Sequence, residues 1–354
     1  MTPLWLKRDC RAVSLALCSA IIGVVVMRII TYFAPLPYST YGDEILQSAV
    51  FSIPTQLLFF LAIPFCIYKF YGGRTVKQTL EFSSVGRFRA YYLLAIPLGV
   101  CVYFLTIGIS SAWSGLLSLT GYVSSSSSLD KPTEFAAWML ITEIFLTAVL
   151  PAVCEEFVMR GGLLTTAKRS FKTVFCVVLC GVIFGLFHQN IRQVFYTSLF
   201  GALAAFLTLK TKSLYPAMLM HFVNNFMSVY IDYASDYGFF GGNIFSVMGA
   251  LPSWMLALLF MIVAVAAAAL VVFMLYLEDK RVIGARREAV RRIAATTADE
   301  PDRAAALERE LEHGLASYRK PRYKIETADI IVGVSVCAVA LCTTVFTYVW
   351  GFMY

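Results

Sequence analysis

Charge is what this sequence has least of. Only 14% of its 354 residues are charged, against about 25% in an ordinary soluble domain. Histidine is scarcer still, with three in the whole chain. The nine cysteines (10, 18, 66, 101, 154, 176, 180, 337 and 342) fall almost entirely in apolar runs, and none forms a CxxC pair. That argues against a zinc ribbon or a disulfide framework, and it reads the cysteines as small buried apolar residues. No HExxH is present. No serine or cysteine stands with a histidine as a paired nucleophile. No internal repeat is visible, which speaks against a transporter built from matching halves.

What fills the sequence instead is apolar residues, 59% of the chain with a mean hydropathy of +0.73. Long apolar runs make this an all-α, polytopic helical membrane protein. About nine transmembrane helices are expected, near 12–33, 46–68, 90–112, 135–159, 173–189, 191–209, 214–231, 252–276 and 328–350. Lys7, Arg8 and Arg11 precede the first run as they do in a signal peptide, but the run is long enough to span. Pro54 and Pro64 are expected kinks in the second span. The fifth and sixth spans are short and tightly joined near residue 190, so the count falls if they form a hairpin that does not cross.

The chain divides accordingly into N-terminal helices (1–134), a core (135–231), a loop and helix (232–277), a charged helical linker (278–326) and a last helix (327–354). Residues 124–128, all serine, make a polar loop. The linker, broken at Pro301 and Pro321, reads as a solvated helical pair. A sharper reading docks it on anionic headgroups. His313 sits in it as a surface histidine.

The net charge of +7 points to no nucleic-acid partner, because the basic residues gather at helix ends. With the N-terminus cytosolic, all of the 29 Lys and Arg except Arg28, Lys131, Arg160 and Arg192 fall on the cytosolic side. This asymmetry supports nine spans with the C-terminus outside. Arg28, near the end of its span, is expected to snorkel.

A few polar residues stand out inside the runs. Glu155, Glu156 and Arg160 lie within six positions near the end of the fourth span. Ionisable groups in a membrane helix cost about 2.5 kcal/mol or more even on the mildest scales. On a helix Glu156 and Arg160 share a face one turn apart, a structural ion pair. Glu155 is rotated about 100° away and has no evident charged partner, which suits a general base. His188 ends the fifth span, four residues after Phe184. His221 and Asn225 lie one turn apart in the seventh. Each alone is an ordinary interhelical contact. Together they read as a hydrolytic site: a carboxylate and an imidazole to activate water, an imidazole and an amide to hold an oxyanion.

Glu155-Glu156-x-x-x-Arg160, Phe184-x-x-x-His188 and His221-x-x-x-Asn225, in that order on three membrane helices, resemble the motifs of the CPBP family, the CaaX prenyl proteases and the Abi proteins of bacteriocin processing and immunity. The resemblance covers about residues 135–230. One departure is Met159, where many members have Phe. The resemblance implies an intramembrane endopeptidase with Glu155 as base, His188 placing the water, and His221 and Asn225 as the oxyanion hole. Glu156 and Arg160 would buttress the site and Phe184 line it. The expected partners are membrane lipid and a peptide or protein substrate, either prenylated or a peptide precursor. The plasma membrane of a prokaryote is the expected location. The family is often labelled metalloprotease. A zinc version would use His188, His221 and either Glu155 or Glu156 as ligands. The ligand chemistry favours no metal, since a third ligand drawn from the glutamates leaves only one as base. The competing reading is a non-enzymatic immunity or scaffold protein using the same residues for packing.

Overall fold

The computed structural model describes residues 4–34, 36, 39–74, 90–122 and 129–296, together with 342 and 345. The expected serine loop at 124–128, the ninth span apart from residues 342 and 345, the linker beyond 296 and His313 lie outside the described residues. Within them the chain is helical, without strands. Nine helices follow one another: α1 (Leu4–Phe33), α2 (Tyr41–Tyr71), α3 (Ala90–Ser118), α4 (Ala137–Arg169), α5 (Thr173–Phe187), α6 (Val194–Thr211), α7 (Tyr215–Tyr237), α8 (Ile244–Ala250) and α9 (Ser253–Thr296).

Five helices, α1, α2, α3, α4 and α6, are long and apolar enough to cross a bilayer. α5, at 15 residues, reaches only about 22 Å at 1.5 Å per residue, short of a hydrocarbon core of about 30 Å. The expected hairpin of spans five and six is therefore a short helix packed on a longer one. α7 has 23 residues, but it carries His221, Asn224, Asn225, Asp232 and Asp236 and is not among the five. Two features differ from the expected layout. Residues 244–250 form the short helix α8 inside what reads as a loop. α9 continues without a break to Thr296, so the charged stretch beginning at 278 starts as an extension of the preceding helix.

The prolines are absorbed without breaking their helices. In α2 the turns widen to a π-helical pattern over Pro54–Ala62 and again over Ile67–Tyr71. α4 does the same over Ile144–Val149, just before Pro151, and over Phe157–Leu164. A missing N–H and a ring that crowds the preceding turn both favour such local widening. The entry of α2 is fixed by a reciprocal cap, in which Thr40 Oγ1 accepts from the Asp43 amide (3.2 Å) and the Asp43 carboxylate accepts from the Thr40 amide (2.9 Å).

α5 and α6 form the most extensively packed pair. Gly181 and Gly185 make this possible: a Cβ at Gly185 would stand 1.9 Å from Ser198 Oγ and 2.6 Å from the Val194 carbonyl oxygen. Without a hydrophobic drive between helices in lipid, such close backbone approach is what holds a pair together.

Each end of the bundle carries its own ionic cluster. At the end rich in Lys and Arg, Asp9 is buried and pairs with Arg74. Asp9 Oδ2 also accepts from Thr166 Oγ1 (2.9 Å) and Arg169 Nη1 (2.8 Å). Arg74 donates further to Thr166 Oγ1 and to the Gly161 carbonyl, and its guanidinium lies 4.8 Å from the Tyr68 ring centre. Arg74, in a basic stretch after the second span, is thus buried and paired. At the opposite end Lys131 donates to Asp232 and Asp236, both at 2.6 Å. Burial acts to lower the Lys131 pKa, and its bonds to the two aspartates outweigh that and raise it. Beside it, Glu143 accepts from Tyr41 and from Tyr233 (2.9 Å for the latter).

Candidate active site

A cavity of about 540 Å³ opens between α2, α3, α4, α5, α6 and α7. Glu155, Phe184, His188, His221 and Asn225 all line it. Four of these come from residue types that would be costly facing lipid, and the fold brings them to one space. Glu156 and Arg160 stand behind the wall, both wholly buried.

The short α-helical segment Leu150–Glu156 separates the two widened stretches of α4 and holds both glutamates. Widened turns of this kind recur at functional sites. Glu155 is half-buried and turns to the cavity, where its Oε1 accepts from Gln56 Nε2 of α2 at 2.9 Å. No cation among the described residues bonds to it. Glu156 turns the other way. Its Oε1 accepts both from Arg160 Nη1 and from His221 Nδ1, each at 2.9 Å. Arg160 continues to the Gly201 carbonyl of α6 (2.9 Å) and lies 5.1 Å from the Phe184 ring centre. One carboxylate thus ties α4 to α7, and one guanidinium ties α4 to α6. Gly201 must be small for this approach, since a Cβ there would stand 2.6 Å from Phe184 Cβ.

Both cavity imidazoles are oriented through Nδ1. His188 Nδ1 lies 2.9 Å from the Phe184 carbonyl oxygen, an acceptor only, so Nδ1 carries the proton. His221 Nδ1 donates to Glu156. In each ring Nε2 is left for another partner. His221 is wedged between the rings of Phe200 (4.8 Å) and Phe184 (5.9 Å). The turn after His188 is pinned from α1. Arg28 donates to the carbonyls of His188 (3.4 Å) and Gln189 (3.5 Å), where the end of α5 presents unpaired acceptors. Gln189 is wholly buried with φ 47° and donates to the Ile21 carbonyl (3.4 Å). Arg28, exposed near the end of α1, thus caps these carbonyls.

Asn225 is held at both ends of its amide. Nδ2 donates to the Thr147 carbonyl and Oδ1 accepts from Asn224 Nδ2, each at 2.9 Å. Pro151, four residues after Thr147, has no N–H to give that carbonyl, and Asn225 supplies a donor. One N–H of Asn225 remains for the cavity.

Two residues of this site are not singled out by the sequence. Gln56 and Asn224 both line the cavity. Gln56 is an amide inside an apolar run, directly after Pro54-Thr55, and Asn224 adjoins Asn225; those positions were their only signals. Glu143, half-buried in the run that begins α4, is a third polar residue of this kind, but it belongs to the outer cluster.

Among the described residues no three His, Cys, Asp or Glu side chains gather as metal ligands. Glu156 is engaged by Arg160 and His221, while Glu155 and the Nε2 atoms of both rings stay open to the cavity.

Residues 137–227 match the protein-family model described as Type II CAAX prenyl endopeptidase Rce1-like. The match begins with α4 and ends two residues after Asn225, so it takes in all three polar motifs and nothing of α1–α3. It bears out the resemblance drawn from those motifs and supports, at the level of the family, an intramembrane endopeptidase of the CAAX type. No curated protein and no solved structure matches the chain.

Proposed function

We propose that the cavity hydrolyses a peptide bond of a membrane-associated polypeptide without a metal, using Glu155 as general base. One observation carries this reading: a carboxylate with no cationic partner shares a cavity with two imidazoles and an amide, while its neighbour Glu156 is locked in a buried ion pair.

Glu155 takes a proton from water as the oxygen attacks the scissile carbonyl carbon. His188 Nε2, unprotonated when Nδ1–H is given to the Phe184 carbonyl, accepts the water's other hydrogen bond and places it. The carbonyl oxygen becomes an oxyanion. It receives the free N–H of Asn225 and, in the doubly protonated ring, Nε2–H of His221. Glu156, on Nδ1 of that ring, balances the imidazolium charge. The proton held by Glu155 then passes to the leaving amine as the C–N bond breaks. Gln56 orients the base. General-base catalysis contributes about 10²–10⁴-fold, and a pre-aimed oxyanion donor about 10²–10³-fold.

The test compares peptides released in native membranes by wild type and by Glu155→Gln, read by mass spectrometry. Cleavage products that vanish in the variant support the reading. Products that persist unchanged refute it. The immunity or scaffold reading makes the opposite prediction, that Glu155→Gln and His188→Ala leave biological function intact.

A further inference from the structure

His188 opens the turn that joins α5 to α6, residues 188–193. Its ring is oriented locally, by Nδ1 on the Phe184 carbonyl one turn back. Where that ring stands in the cavity depends on where the turn lies. Part of the turn is self-made: the Gln193 amide donates to the Asn190 carbonyl and the Arg192 amide to Asn190 Oδ1, both at 3.0 Å. Gln189, however, holds a left-handed φ of 47°, a conformation that a residue with a Cβ keeps only when its surroundings enforce it.

Two other helices supply that enforcement. From α1, Arg28 donates to the carbonyls of His188 and Gln189, and the Ile21 carbonyl receives the Gln189 amide. From α3, Trp113 Nε1 donates to the Ile191 carbonyl at 2.8 Å. The Trp113 ring also lies 4.3 Å, centre to centre, from that of Phe195, the second residue of α6. Trp113 therefore grips the turn by its N–H and the start of the next helix by its face. The turn is part of the cavity wall, since His188 and Gln193 both line it. Neither Arg28 nor Trp113 is a lining residue, so both act on the cavity through the turn.

We propose that Trp113 and Arg28 are positioning residues for His188: from α3 and α1 they clamp the 188–193 turn and fix where the imidazole stands. That His188 serves cleavage rests on the peptidase reading above; that it is held in this way does not.

The chain has three histidines, so labelling their imidazole nitrogens with 15N in the full chain, in detergent, gives three sets of ring correlations. His188→Gln and His313→Gln assign them. Trp113→Phe keeps a ring beside Phe195 and removes the N–H. Arg28→Gln removes the guanidinium, and Arg28→Lys keeps a cationic donor. The Trp113 and Arg28 variants are independent, so if one fails to fold the other still decides. In Trp113→Phe and Arg28→Gln the His188 correlations should shift or broaden, while those of His221, held separately by Glu156, stay in place. Peptide cleavage should lose about ten- to a hundred-fold in kcat with KM unchanged, the scale of a catalytic group displaced by about 1 Å. Arg28→Lys should restore most of both. His188 correlations that stay unchanged in the folded variants overturn the proposal. So does an equal shift of His188 and His221, the mark of a general loosening. The spectra need no cleavage: a displaced His188 with unchanged kcat would refute its place in the peptidase reading and leave the clamp standing.

Discussion

Glu155→Gln and Glu156→Gln replace adjacent residues by the same isostere, and the structure separates their outcomes. Glu156 is wholly buried and accepts from a wholly buried Arg160 and from His221. Removing its charge leaves the Arg160 guanidinium without its counter-ion, and breaking a buried pair from one side costs about 3–5 kcal/mol. At about 2–4 °C per kcal/mol for a chain of 150–250 residues, that is a fall in Tm on the order of 10 °C. Glu155 is half-buried and bonds to Gln56 Nε2, which a glutamine oxygen can still accept. Its replacement should shift stability by less than about 1 kcal/mol while lowering kcat by about 10²–10⁴-fold. The assay pairs thermal unfolding of the detergent-purified protein with peptide cleavage below the lower Tm. Equal melting of the two variants, or full activity in Glu155→Gln, would refute the division of roles between the neighbours.

Asp9→Asn leaves Arg74 and Arg169 facing each other at a buried site, and unfolding should show a loss of about 3–5 kcal/mol. Thr166, the nearest α4 member of that cluster, lies about 16 Å along the helix from Glu155, so cleavage by the folded fraction should be unchanged. Gln56→Leu removes the one bond that orients Glu155; kcat should fall by a few-fold to about ten-fold, the worth of one hydrogen bond, with KM unmoved. Chelation followed by elemental analysis should find unchanged kcat and no stoichiometric zinc. One zinc per chain, lost together with activity, would overturn the metal-free mechanism.

The sequence discloses the membrane class and the convergence of Glu155, His188, His221 and Asn225 because both follow from cost. Apolar runs have one stable solution in lipid, and polar side chains within them must turn inward. The Glu156–Arg160 pair is legible for the same reason, as a one-turn spacing of opposite charges. What stays hidden depends on phase and on distant partners. Widened turns around Pro54 and Pro151 shift which residues face the cavity, and the 3.6-residue period used to read a helix does not include them. Gln56 meets Glu155 across 99 positions and Arg74 meets Asp9 across 65. No local pattern announces such pairs.

The glutamate pair shows how one helix can give two identical side chains opposite tasks. A rotation of about 100° per residue sets them apart, but rotation alone does not decide which one is free. The surroundings do. Arg160, one turn on, and His221, from α7, both reach Glu156, and together they anchor α4 to α6 and α7. The cavity needs those anchors, because they fix His221 and hold Phe184 against it. Glu155 meets only a neutral amide. A cation there would satisfy the carboxylate and remove its reason to take a proton from water. In the mechanism proposed above, the general base is thus recognised by the partner it lacks, and the structural glutamate by the two it has.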